Sequence, residues 1–158
     1  MSELTHVGPD GEARMVDVGG KAETERRARA SGYIRMSSGT LAAIERNQVD
    51  KGDVIGVARI AGVMAAKRTA ELIPLCHPVA LTDIQVDVRA DAALPGLRVE
   101  AEARSVGRTG VEMEAIVAVA MTLVTVYDMA KSQDRGMVIS EVRLETKTGG
   151  KSGTWTRG

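Results

Sequence analysis

Hydrophobic and polar positions alternate most strictly between Leu97 and Arg104, where Leu97, Val99, Ala101 and Ala103 take turns with Arg98, Glu100, Glu102 and Arg104. A period of two marks a strand with one buried and one wet face. The same period holds upstream, with Ile84, Val86 and Val88 set against Asp83, Gln85, Asp87 and Arg89. The turn-rich stretch from Asp91 to Gly96 joins the two runs into a hairpin. A looser alternation from Thr24 to Met36, with Ala28, Ala30, Ile34 and Met36 opposed by Arg27, Arg29 and Arg35, predicts a further strand broken at Ser31-Gly32. A last strand, Met137 to Thr146, is expected to bury Val138, Val142 and Leu144.

Helical spacing takes over elsewhere. The run KGDVIGVARIAGVMAAKRTAELIPLCHP, Lys51 to Pro78, predicts a helix from Asp53 to Leu72, because Asp53 can cap the first turn and Pro74 cannot continue it. Val57, Ile60 and Met64, with Val54, Ala61, Ala65 and Leu72 one row over, define its buried face. Gly56, Ala58, Ala61, Gly62, Ala65 and Ala66 let another backbone approach closely, in the same chain or another. A second long helix, Val111 to Gln133, follows the turn VGRTG and has so few polar positions that most of its sides must be covered. Ser37 or Ser38 caps a short helix, Thr40 to Arg46.

The resulting order is strand, helices, strand, strand, helix, strand. It predicts an α+β fold, a ferredoxin-like sandwich with helices on one face of a four-stranded antiparallel sheet. With 158 residues, 44% of them hydrophobic, the chain suits a single domain with one core, and residues 1–21 and 147–158 are expected to be flexible. The core must be aliphatic, since Phe is absent.

Charge narrows the partners. Lys plus Arg number 21 and so do Asp plus Glu, so no overall field draws the protein to nucleic acid or to a membrane. No apolar run approaching a membrane span is expected, and the N-terminus lacks a charged-then-apolar signal pattern, which implies a cytoplasmic protein. A single cysteine, Cys76, excludes an internal disulfide, and with only His6 and His77 available no zinc-ligand spacing arises.

The polar residues at helix ends carry the candidate chemistry. Asp128 and Lys131 are three apart and share a helix face, either as an acid–base pair or as an ordinary surface ion pair. Glu112 and Glu114 flank Met113 at the other end, where carboxylates also complement the helix dipole. Glu114 and Asp128 stand roughly 21 Å apart at ~1.5 Å per residue, too far for one small pocket in one subunit. Lys51 precedes the first long helix, Lys67 and Arg68 lie near its end, where cations ordinarily complement the helix dipole, and Cys76-His77 sit in a turn bracketed by Pro74 and Pro78, which fixes the ring direction of His77 for either a structural or a binding role. Gly150-Lys151-Ser152 resembles the end of a P-loop, but Glu145 occupies the place of its first glycine. Gly149 and Gly150 between Lys147 and Lys151 can instead wrap backbone amides and ammonium groups around an anion, or form a solvated tail.

Taken together, LTH, ARMVDV, the Lys51–Pro78 run, TGVEMEA, YDMAK and KTGGKSG resemble the family of molybdenum cofactor biosynthesis protein C, the cyclic pyranopterin monophosphate synthases. The likeness covers nearly the whole chain, with the motifs in the family's order. It implies a ferredoxin-like subunit in a homo-hexamer, a trimer of dimers with the active site at a subunit interface. The implied substrate is a cyclised GTP-derived triphosphate, 3′,8-cyclo-7,8-dihydro-GTP, supplied by an upstream radical S-adenosylmethionine enzyme. The implied products are cyclic pyranopterin monophosphate and pyrophosphate, with no resident cofactor and at most a magnesium ion accompanying the triphosphate. By resemblance Asp128, Lys131 and Lys51 are catalytic. Leu75, Cys76 and His77, together with Glu112, Met113 and Glu114, bind substrate, and Arg26, Lys67, Lys147 and Lys151 handle phosphate. Ala130 stands where the family commonly has cysteine, and the aromatic near the C-terminus is Trp155; neither change removes a reactive group.

The chemistry asks for such a set. Reclosing a purine-derived ring as a pterin moves protons on and off nitrogen and oxygen, work suited to a lysine beside a carboxylate. Expelling pyrophosphate calls for clustered cations. Two other classes share the fold. RNA-binding modules stack bases on sheet aromatics, which Tyr33, Tyr127 and Trp155 hardly supply. A regulatory small-molecule-binding oligomer is separated from an enzyme only by pyrophosphate release.

Overall fold

A computed structural model describes residues 7–158, so the LTH run and His6 lie outside the described residues. In chain order the elements are β1 (Thr24–Arg35), α1 (Ser38–Glu45), α2 (Val54–Lys67), α3 (Thr69–Leu72), β2 (Leu81–Asp91), β3 (Gly96–Gly107), α4 (Glu112–Ala130), β4 (Val138–Thr148) and β5 (Trp155–Thr156). The strands form one antiparallel sheet in the order β2-β3-β1-β4-β5. The four long strands give the ferredoxin-like arrangement expected from the element order, with the helices on one face. The two-residue β5 is an addition, pairing Thr146 with Thr156 and Lys147 with Trp155. Regular structure therefore continues beyond Thr146, where a tail was expected to begin.

Strict alternation survives in three dimensions. Leu97, Val99, Ala101, Ala103 and Ser105 of β3 are buried under the helices, as are Ala28, Ala30 and Ile34 of β1, while the Arg and Glu neighbours face outward. Asp91 closes the β2–β3 turn, its Oδ1 accepting the N–H groups of Ala93 and Leu94. The break expected at Ser31-Gly32 does not occur, for β1 runs unbroken. Gly32 is there because α4 presses on it: a Cβ would lie 3.0 Å from Leu123 and Val119 and 3.1 Å from Val142.

Two other expectations are corrected. Val138 is exposed, not buried, while Ile139, Val142 and Leu144 pack on the core. The register of β1 with β4 shifts between Ser31 and Tyr33, opposite Glu141, whose φ is 53°. One bulged residue reverses the parity of a strand, so 139 and 142 can share a face that alternation would deny them. In α2 the buried row is Val54, Ala58, Gly62, Ala65 and Ala66, whereas Val57, Ile60 and Met64, like Leu72 of α3, are exposed within the chain. The small residues face α4 because they permit a close antiparallel crossing. At Gly62 a Cβ would lie 2.1 Å from Thr122 Oγ1 and 2.9 Å from the Ala118 carbonyl.

The helix expected over Asp53–Leu72 also divides at Arg68. There Thr69 Oγ1, buried, donates toward the carbonyls of Ala65 and Ala66, 3.3 and 2.9 Å away, competing with the backbone amides of the last turn. Asp53 caps α2 as expected, accepting the Gly56 N–H at 3.0 Å. By length and composition α4 does reach the dimensions of a membrane span, contrary to the expectation of no such run. Its apolar side is the centre of the core, with Ala115, Ala118, Val119, Leu123, Val126 and Ala130 all buried.

Candidate functional site

Because α2 and α4 run antiparallel, each end of the pair joins the start of one helix to the finish of the other. At the first end Lys51, in the loop before α2, reaches the C-terminus of α4. Its Nζ lies 3.1 Å from Asp128 Oδ2 and 3.3 Å from the Asp128 carbonyl. Lys131, the residue that caps α4, places its Nζ 3.0 Å from Asp128 Oδ1. The carboxylate is thus held from both sides. Hydrogen bonds from Lys131 and then Lys51, reinforced by their charges, keep its pKa below the usual carboxylate range. All three side chains are about half exposed, so substrate can reach them. The i,i+3 spacing already paired Asp128 with Lys131; only the tertiary fold brings in Lys51, 77 residues away.

At the other end the first turn of α4 carries Glu112, Met113 and Glu114. Glu112 Oε1 accepts from Lys147 Nζ of β4 at 2.9 Å. Glu114 is 2% exposed, with Oε2 lacking a hydrogen-bond partner among the described residues, and burial pushes its pKa up to about 7. The Leu75–His77 turn lies close by: burial raises the Cys76 thiol, and Glu114 and Glu112 raise it further. His77 is tied through its Nε2 to the carbonyl of Val16, which fixes the extended N-terminal segment over this turn. From residue 7 to β1 the described part of that segment has no regular element apart from a bridge between Val7 and Ala13.

Beside Glu112 opens a cavity of about 820 Å³ whose lining includes Arg26, Lys147, Lys151, Thr109 and Gly110. Arg26 is buried, donating from Nε to the Gly107 carbonyl at 3.1 Å and from Nη2 to the Ala22 carbonyl at 3.4 Å, with no carboxylate partner among the described residues. Gly150, at φ 78°, passes so close that a Cβ would meet Arg26 Nη1 at 2.1 Å, so only glycine lets the 149–152 turn close on the guanidinium. The N-terminus of α4 has no side-chain cap, and its dipole adds to the positive field. Lys67 stands apart from this cavity, lining a smaller one of about 150 Å³ with Glu114, Thr69 and Pro78.

The structure therefore sorts the thirteen sequence-derived site residues into two groups at opposite ends of α4. Lys51, Asp128 and Lys131 form one; the Leu75–His77 turn, Glu112–Glu114, Arg26, Lys67, Lys147 and Lys151 gather toward the other. Sequence reasoning missed Lys21 and Thr24, which line the larger cavity, and the hydroxyl of Thr24 is buried without a hydrogen-bond partner among the described residues. The Gly-rich VGRTG run before α4 was the available signal for Thr109 and Gly110. Thr24 offered none, since a strand-opening threonine is unremarkable in sequence. Among the described residues no three His, Cys, Asp or Glu side chains converge as metal ligands.

Comparison with known proteins gives this geometry its context. Cyclic pyranopterin monophosphate synthases of Brucella ovis, Brucella melitensis biotype 2 and Brucella abortus are each 58% identical over 153 residues, 97% of this chain and 93% of theirs. Residues 15–150, which contain every sequence-derived site residue except Lys151, match the MoaC family, and the chain belongs to that family.

Proposed function

We propose that this protein is a cyclic pyranopterin monophosphate synthase of molybdenum cofactor biosynthesis. It converts 3′,8-cyclo-7,8-dihydro-GTP to cyclic pyranopterin monophosphate and pyrophosphate. The observation that carries the reading is the carboxylate of Asp128 gripped on separate oxygens by Lys51 and Lys131, in a chain of the MoaC family.

The residues divide the work by charge. Asp128 stays ionised and keeps two ammonium groups within reach of one reacting centre, where each can give a proton to a nitrogen or oxygen that develops negative charge. Arg26, Lys147, Lys151 and the start of α4 form the anion-binding end. When a substrate hydroxyl attacks the α-phosphorus, the bond to the β-phosphate oxygen breaks, and these cations stabilise the departing pyrophosphate. Glu112 holds Lys147 at the cavity edge and gives it up to phosphate. The buried carboxyl of Glu114, with its pKa near 7, is a hydrogen-bond donor when protonated, suited to an acceptor on the ring system. Catalysis needs no resident cofactor, and magnesium enters only with the triphosphate.

One subunit does not make the site. The two residue groups stand roughly 21 Å apart along α4 at ~1.5 Å per residue, so each pocket takes one group from each of two chains. Val57, Ile60 and Met64 of α2 and Val124 of α4, exposed large apolar residues on the helical side, support such contact within a trimer of dimers. The enzyme works in the cytoplasm downstream of a radical S-adenosylmethionine enzyme. Incubation of purified protein with the cyclised triphosphate tests the reading. Pyrophosphate and the cyclic monophosphate should appear in equal amounts. Binding without either product would favour a regulatory protein instead.

A further inference from the structure

The segment that joins α4 to β4 carries Lys131 yet has almost nothing apolar to hold it. Lys131, Ser132, Gln133, Arg135 and Gly136 are exposed, and only Met137 at its far end is buried. The ion pairs of the triad cannot supply the missing rigidity, because pairs this exposed to water hold their partners only weakly. Something else must fix where Lys131 and Asp128 point.

The fixing groups are polar and lie away from the triad. Tyr127 Oη donates to the Arg135 carbonyl at 2.9 Å, folding the segment back on α4. Asp134 Oδ2 accepts the Ser37 N–H at 2.8 Å, with Thr40 Oγ1 at 3.4 Å, and Asp134 Oδ1 accepts the Gly136 N–H at 3.0 Å. Ser37 is itself the cap of α1, through Oγ to the Thr40 N–H at 3.1 Å. The chain leaving α1 forms the loop that carries Lys51, and Gln133 Nε2 contacts the Gln48 carbonyl of that loop at 3.4 Å. Both lysine-bearing segments are therefore referred to one frame, the start of α1.

We propose that Tyr127 and Asp134 are positioning residues for the reaction: they brace the 131–136 segment against α4 and the start of α1, respectively, so that Lys131 and Lys51 meet opposite oxygens of Asp128. Neither touches the triad's ammonium groups, and Tyr127 directs its hydroxyl to a backbone carbonyl on the far side of Lys131 in sequence. The inference rests on the catalytic reading of Lys51, Asp128 and Lys131. A misplacement near 1 Å is enough to lower turnover by up to ~100-fold, so loss of one brace should be visible in rate while the fold persists.

The test uses full-length Tyr127→Phe, Asp134→Ala and Asp134→Asn. Phenylalanine keeps the ring packing and deletes one hydrogen bond, while asparagine keeps one acceptor oxygen. Turnover of the cyclised triphosphate and the rate of Lys131 acetylation by acetic anhydride at fixed pH, read by peptide mass, are measured on each. The expected result for Tyr127→Phe and Asp134→Ala is kcat lowered by about tenfold with KM within about twofold, and faster Lys131 acetylation as its hold on Asp128 loosens. Asp134→Asn should recover part of both. Unchanged kcat and unchanged acetylation in Tyr127→Phe and Asp134→Ala would overturn the proposal, as would losses matched by an equal loss of folded protein with the acetylation rate of the folded fraction unaltered. If the wild type itself fails to turn over, it is the proposed function that has failed, and acetylation alone still decides whether the brace fixes Lys131.

Discussion

Lys51 Nζ lies 3.1 Å from Oδ2 of Asp128, on the carboxylate oxygen opposite the one that Lys131 engages at 3.0 Å. Asp128→Asn removes the charge that both ammonium groups share while nearly keeping the shape. Turnover should fall by about 10²-fold or more with assembly unchanged, as judged by kcat and by native mass. Lys51→Ala and Lys131→Ala should fall comparably, whereas Arg89→Ala, on the outward face of β2 and away from both residue groups, should retain activity. Wild-type kcat in a correctly assembled Asp128→Asn protein would remove Asp128 from the mechanism.

A second expectation concerns the crossing of α2 and α4. Gly62→Ala drives a methyl into Thr122 Oγ1, which cannot swing aside freely, because it is fully buried and bonded to the Ala118 carbonyl at 2.7 Å. Overpacking of this kind costs about 1–3 kcal/mol, to be read from denaturant unfolding of the variant against wild type. Equal stability would mean the helices separate more easily than their packing indicates.

The two errors about buried faces share a physical origin. Period alone cannot say which of two apolar rows on a helix meets its partner, and in α2 the smaller row does, since close approach outweighs side-chain size. Nor can period reveal the bulge opposite Glu141 that turns Val138 outward. The β2–β3 hairpin was legible because both its faces follow one uninterrupted alternation. Of the site, Asp128 and Lys131 were legible as neighbours on one helix turn. Lys51 was reachable only through resemblance, because its contact with Asp128 depends on how two helices pack.

The raised pKa of Glu114 makes a stability prediction with a definite sign. Its carboxyl titrates near 4.5 when unfolded and near 7 in the folded chain, so between those values the native state holds a proton that the unfolded state has released. Stability from this group is fully present at low pH and is lost as pH rises through about 7. The change amounts to roughly 2–3 kcal/mol, discounted for partial access of water. Glu114→Gln, which stays neutral, should therefore gain stability relative to wild type between pH 5 and pH 8. A constant difference across that range would show that Glu114 ionises normally.

The glycine turn after β4 should respond to ligand. Gly149 and Gly150 adopt φ of 95° and 78°, and the turn they make lays Gly150 against Arg26 and brings Lys151 to the lining of the large cavity. Backbone amides from Gly149 to Gly153 should exchange hydrogen more slowly once the triphosphate is bound. Unchanged exchange there would make the tail a bystander.

The central claim is that one pocket joins the Glu112–Glu114 end of α4 in one subunit to the Asp128–Lys131 end in another, and subunit complementation tests it most directly. Glu114→Ala and Asp128→Ala proteins, each inactive alone, are mixed under conditions that exchange subunits, with exchange verified by mass. Each mixed interface then holds one pocket with both defects and one with neither. The account predicts that pyrophosphate release returns to a fraction of the wild-type rate. Verified exchange of well-assembled variants without any return of activity would contradict it, placing both residues in the service of a pocket within a single chain.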